Sequence, residues 1–254
     1  MDPFDMVDAS WIALGFAVSM VAAWGLGWRL GRRSLTPPGE DPGIKFTDGS
    51  MALLGLLLAF TFAMALGRHD SRRLAVVAES NAIGDFYTCA SLLKDPVRSK
   101  LQQVIHEYAR LRLDMDSGRL PKQDEAGALQ QCYDLQAKMT THVAEAVREG
   151  TPIAVSLSNT LTNLTSSHAS RLAAYDASLP WSIVVLLFLS ATCPSFLLGQ
   201  RQGESANVHL AGTFCFIFMV GLVIFVVFDL NQPTRGLITV NLNSLEQVVR
   251  STAN

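Results

Sequence analysis

Four stretches of the chain carry no Asp, Glu, Lys or Arg: about Trp11–Trp28, Gly49–Gly67, Pro180–Gln200 and Val208–Phe228. Each is ~18–21 residues long, which at ~1.5 Å rise per residue gives about 27–32 Å of helix, the thickness of a bilayer's hydrocarbon core. No water is available there, so every backbone N–H must find its acceptor within the segment, and helix is the expected conformation. Pro180 suits a first helical turn, and Pro194 removes one internal hydrogen bond, which predicts a kink near Ser190–Pro194. Small residues (Gly15, Ala22, Gly55, Ala59, Ala63, Gly212, Gly221) are the expected points of close helix approach. Trp11, Trp24, Trp28 and Trp181 fall near span ends, where indole rings favour the interface. The first stretch is preceded by Asp2, Asp5 and Asp8 rather than by basic residues, so it reads as a retained helix and not as a signal peptide.

Between the second and third spans the pattern changes. Residues 68–179 hold 13 of the 20 Lys+Arg and 13 of the 22 Asp+Glu, a block rich in charge and neutral overall. Its apolar positions recur at helical spacing. The second span is expected to run on past Arg68. A helix with Val97, Leu101, Val104, Tyr108, Leu111 and Met115 on one side follows Asp95-Pro96, read as an N-cap and first helical residue. Another runs from about Gln123 to Glu149 with Leu129, Tyr133, Gln136, Met139, Val143 and Val147 on one side. A last one starts at Thr151-Pro152 and carries Ile153, Leu157, Leu161, Leu164, His168, Leu172 and Tyr175. The expected organisation is 1–67, tail and spans one and two; 68–179, an extramembrane helical bundle; 180–230, spans three and four; and 231–254, a C-terminal tail. The fold class is all-α, an integral membrane protein of four transmembrane helices with a membrane-proximal bundle.

Composition narrows the chemistry. A net charge of -2 without a clustered basic face gives no footprint for nucleic acid. The four cysteines lack the spacing of a zinc or redox motif and read as packed thiols. There is no Ser-His-Asp set, no phosphate-cradling glycine loop and no pair of metal ligands at helical spacing, so the reading is of a non-enzyme with no catalytic residues, cofactor or metal. His168, on an apolar stripe, is expected to be a hydrogen-bonded core residue, and Glu79, Asn81 and Asp85 to cap or pair with a neighbouring helix. Lys and Arg divide five against six between the two sides of the membrane, which leaves sidedness open.

Three segments together resemble a known family: GSMALLGLLLAFTFAMALGRHDSRRLAVVAESNAIGDFY at 49–87, RLAAYDASLPWSIVVLLF at 171–188 and FDLNQPTRGLITV at 228–240. The chain is similar, over about residues 49–250, to the bestrophin-like membrane proteins of bacteria, long filed as a domain of unknown function. The segment from Asp229 to Gly236 is close to that family's last motif, Leu-Asp-x-Pro-x-x-Gly, with Asn231 where the family more often has Asp; Asp229, Pro233 and Gly236 are its candidate motif residues.

The resemblance implies a bestrophin-like fold and a pentameric ion channel in the bacterial inner membrane, with the lipid bilayer and inorganic ions as partners. Each protomer would line the pore with its second helix. One face of that helix offers Leu53, Leu57, Phe60, Met64 and Arg68; an adjacent face offers Leu54, Leu58, Thr61, Ala65, His69 and Arg72. The lining candidates are Leu53, Leu57, Phe60, Thr61, Met64 and Arg68, since apolar rings gate by dewetting and an arginine ring at a mouth concentrates anions. The alternative is a membrane-anchored sensor or scaffold without a pore, whose bundle passes strain to the spans.

Overall fold

The computed structural model describes residues 8–33, 42–121, 124–177, 179–204, 209–232 and 236–253. These residues form eight helices and no strand: α1 (Ala9–Gly31), α2 (Pro42–Ser91), α3 (Val97–Asp116), α4 (Glu125–Arg148), α5 (Ala154–Asp176), α6 (Trp181–Glu204), α7 (Leu210–Asn231) and α8 (Asn243–Thr252). Four helical stretches, in α1, α2, α6 and α7, are long and apolar enough to cross a membrane. α2 is a single helix of 50 residues, and α6 stays α-helical through Pro194. The chain divides into two compact units, Met1–His69 with Ser178–Thr239, and Asp70–Ala177 with Val240–Asn254.

The first unit buries Phe16, Met20, Leu54, Leu58, Leu187, Ala191, Ile224 and Phe228 in one apolar core. α1 packs most extensively on α6, and its glycines explain how. A Cβ placed on Gly27 would strike the Phe196 carbonyl, and one on Gly31 the Gln200 carbonyl. One on Gly199 would strike the Trp24 carbonyl, and one on Gly203 that of Trp28. Two Gly-x-x-x-Gly pairs therefore press backbone on backbone, the packing available where apolar lipid removes the usual hydrophobic drive between helices. The close approach lies here and not at Gly15, Gly55, Gly212 or Gly221, whose surroundings are open to 4 Å in the protomer. Beside the glycines, Trp24 Nε1 donates to Gln202 Oε1 at 3.1 Å, and Gln202 Nε2 donates to Thr213 Oγ1 at 2.9 Å, so one buried amide joins α1, α6 and α7.

The second unit has its own core, built from Ile83, Phe86, Leu101, Ile105, Tyr108, Met139, Leu157 and Leu164. Leu245 of α8 joins it, and His106 meets Thr252 at 3.0 Å, so the last residues form an ordered element where a tail was expected. The α3 stripe falls where its spacing predicts. α3 itself starts at Val97, with Pro96 before it. The Asp95 carboxylate accepts from the Ser99 hydroxyl and the Arg98 guanidinium. On α4 the buried line is Ala128, Cys132, Leu135, Met139, Val143 and Ala146, which leaves Tyr133 and Val147 exposed. On α5 the line ends with Arg171, fully buried, in place of the expected Leu172. Cys89 and Cys132 are packed thiols, whereas Cys193 and Cys215 are exposed on the protomer.

Candidate functional site

α2 has two unlike sides. Leu54, Leu58, Thr61, Ala65 and Arg72 are buried in the protomer, so the second of the two candidate faces is consumed by the chain's own packing. Arg72 Nε and Nη2 donate to the carbonyls of Ala174 and Ala177, closing the C-terminal end of α5. Leu53 at 55%, Phe60 at 62% and Met64 at 38% exposure lie on the opposite, open side, with Leu57 half-buried. Thr61 turns inward and bonds its hydroxyl to the Leu57 carbonyl at 2.8 Å, so it does not share the face of Phe60 and Met64. Arg68 is half-buried, and its Nη1 is shut away from solvent.

Residues seven apart on a helix stack nearly one above another. Two such lines stay open along α2, winding slowly about its axis: Leu53, Phe60, Gly67, Leu74, Asn81 and Thr88, and Leu57, Met64, Ser71, Ala78 and Asp85. All are exposed except the half-buried Leu57. Leu53, Leu57, Phe60 and Met64 belong to the apolar span, and the half beyond it carries Ser71, Asn81, Asp85 and Thr88 together with the exposed Leu74.

On its inner side α2 carries Glu79, the centre of an ionic cluster in the second unit. Arg171 Nη1 donates to Glu79 Oε2 at 2.5 Å, and Arg112 Nη2 to the same oxygen at 3.4 Å. The Tyr108 hydroxyl donates to Glu79 Oε1 at 2.5 Å, and His168 Nδ1 lies 3.1 Å from that oxygen. Arg171 also pairs with Asp116. His168 Nε2 is buried without a partner, and a proton on Nδ1 lets the ring donate to the carboxylate. Tyr133 closes on that ring edge-on at 5.7 Å. Burial alone would push the Glu79 carboxyl up. The His168 hydrogen bond, the charges of Arg112 and Arg171 and the Tyr108 hydroxyl outweigh it and hold the carboxyl well below the ordinary carboxylate range. Burial, and then the adjacent Glu79 charge, push the Tyr108 phenol well above its usual value. Burial pushes the Cys132 thiol up to about 11.

Glu79 and His168 thus meet, although 89 residues separate them. Arg112 carries no sequence signal beyond charge, which ordinarily marks a solvated position, whereas Arg171 opens the second of the family-like segments. The cluster is closed to solvent and holds α2, α3 and α5 in one arrangement. Among the described residues no three His, Cys, Asp or Glu side chains gather as a metal site would require.

The third feature is the turn after α7. The Asp229 carboxylate accepts the backbone N–H of Leu237 at 2.9 Å and of Ile238 at 3.0 Å. Gly236 has φ +127°, and a Cβ there would lie 2.5 Å from Asp229 Oδ1. Asp229, just ahead of Leu230, and Gly236, the last residue of the motif, are therefore two halves of one turn. Pro233 lies outside the described residues.

A family model for the bestrophin-like domain matches residues 46–245. No curated protein matches the chain, and no solved structure does. The match takes in α2 through the start of α8, with the open face, the ionic cluster and the Asp229 turn inside it, and the chain belongs to the bestrophin-like family.

Proposed function

We propose that the protein is a homo-oligomeric ion channel, a pentamer in the inner membrane of a bacterium, with α2 of each protomer lining the conduction path. The observation that carries this reading is the open side of α2: Leu53, Phe60 and Met64 stand exposed, while the residues opposite them complete the protomer's core. Rings of Phe60 and Met64 around an axis would form a narrow apolar neck that conducts when wetted and closes when dry. Leu57 joins them, whereas Thr61 and Arg68 turn toward the protein and take no part in the lining. Conduction is passive and needs no covalent chemistry.

The test has two parts. Single-particle imaging of the detergent-purified protein counts subunits about an axis and places Phe60. Planar-bilayer recording then measures ion current, which Phe60→Ala should increase by widening the neck. A dimer with Phe60 toward lipid and no current across a range of salts would end the channel reading. That outcome would favour a membrane-anchored sensor or scaffold, to which the unbroken α2 is also suited.

A further inference from the structure

We infer that the conducted species is a cation and that Asp85 sets its sign; the inference rests on the channel reading above. On the two seven-residue lines that carry Phe60 and Met64, Asp85 is the sole charged residue. Arg68, Arg72 and Arg73 turn elsewhere. Arg68 shares its line with Ala75, Ala82 and Cys89, which goes from half-buried to buried, and its Nη1 is already sealed from solvent. Arg72 is buried and spends its guanidinium on the carbonyls of Ala174 and Ala177. Arg73 shares a line with the buried Ser80, on the far side of the helix from Met64.

A second observation agrees. Asp85 opens into a groove of about 350 Å3 between α2 and α5. Asn81 lines it from α2, and Asn163, Ser166, Ser167 and Ser170 line it from α5. These side chains offer hydroxyl and amide oxygens that replace part of a cation's hydration shell, and neither Lys nor Arg lines the groove. Arg112 and Arg171 of the same unit are buried against Glu79 and Asp116, so their fields are offset at source. Repeated around an axis, Asp85 would make a ring of carboxylates on the polar half of the path, the arrangement that concentrates cations and repels anions.

The experiment is reversal-potential measurement in asymmetric KCl on the full-length protein in planar bilayers, with Asp85→Asn, Asp85→Arg and Asn81→Asp beside the wild type. The wild type is expected to favour K+ over Cl- several-fold. Asp85→Asn should lower that ratio several-fold, Asp85→Arg should carry it past unity toward Cl-, and Asn81→Asp should raise it. Asp85 is exposed, so these variants are expected to melt with the wild type. Current that reverses toward the Cl- equilibrium in the wild type overturns the inference and leaves the channel standing. So does a ratio unmoved by Asp85→Asn. Absence of current in every chain overturns the channel reading itself.

Discussion

Arg171 donates to Glu79 across 2.5 Å with both side chains wholly buried, one on α5 and the other on α2. A carboxylate so placed leaves two arginines without their shared counter-charge when it is removed. Glu79→Ala is expected to destabilise the protein by about 3–5 kcal/mol, the range for breaking a buried ion pair from one side. Thermal unfolding in detergent, followed by circular dichroism, measures it. The pH dependence has a definite sign. The folded carboxyl titrates below its unfolded value, so its linked stability is complete above the ordinary carboxylate range and drains away as pH falls from there toward the folded value. Glu79→Gln should flatten the acid limb of the stability profile.

Tyr108 supplies the shortest neutral donor to the same carboxylate. Tyr108→Phe keeps the ring's packing and deletes the hydroxyl that also accepts from Gln136. The expected loss is about 1.5–3 kcal/mol, the range for a hydrogen bond to a charged group. Acid unfolding should begin at higher pH than in the wild type, because one of the groups holding the carboxyl down is gone. An unchanged acid midpoint would remove Tyr108 from this role.

Gly199 meets the Trp24 carbonyl so closely that no Cβ fits, whereas Gly212 has open space around it. Gly199→Ala is expected to cost about 1–3 kcal/mol through overpacking against backbone that cannot rotate away. Gly212→Ala should be neutral or slightly stabilising, since alanine is the better helix former. Melting temperatures of the two variants in the same detergent should separate clearly, and equal melting would contradict the packing.

Gly236→Ala places a methyl group against the Asp229 carboxylate at a φ that alanine rarely adopts. Strain of this kind costs about 1–3 kcal/mol. Asp229→Ala fails differently, leaving the Leu237 and Ile238 amides without their acceptor. Both substitutions should speed protease nicking between α7 and α8, read by mass spectrometry. The same nicking pattern as in the wild type would show that the turn is held by something else.

The spans and the helical character of residues 68–179 were legible because each rests on a local pattern: absence of charge over a membrane's width, or apolar residues at helical spacing. Register was less so. The α4 core line passes through Ala128, Cys132 and Ala146, whose small side chains are weak markers beside Leu129, Tyr133 and Val147. Arg171 displaced Leu172 because its partner Glu79 comes from another helix, and periodicity within one helix does not report pairing between two. The short α8 had a readable signal in Leu245, Val248, Val249 and Thr252, spaced as one helix face. The glycines at 27, 31, 199 and 203 are spaced four apart in both helices, the signal that marks close approach. The family motif located the Asp229 turn, and only coordinates reveal why its aspartate and glycine belong together.

Helices that meet through side chains slide by exchanging rotamers, as interlocked bristles slip past one another. At their four glycines α1 and α6 have no bristles, only carbonyl oxygens seated against bare α-carbons. Lengthwise slip by one turn would drive a neighbour that carries a Cβ, such as Ser195 or Ala23, into that contact. The two are therefore obliged to travel as one rod, and whatever opens or shuts in this protein must hinge outside them.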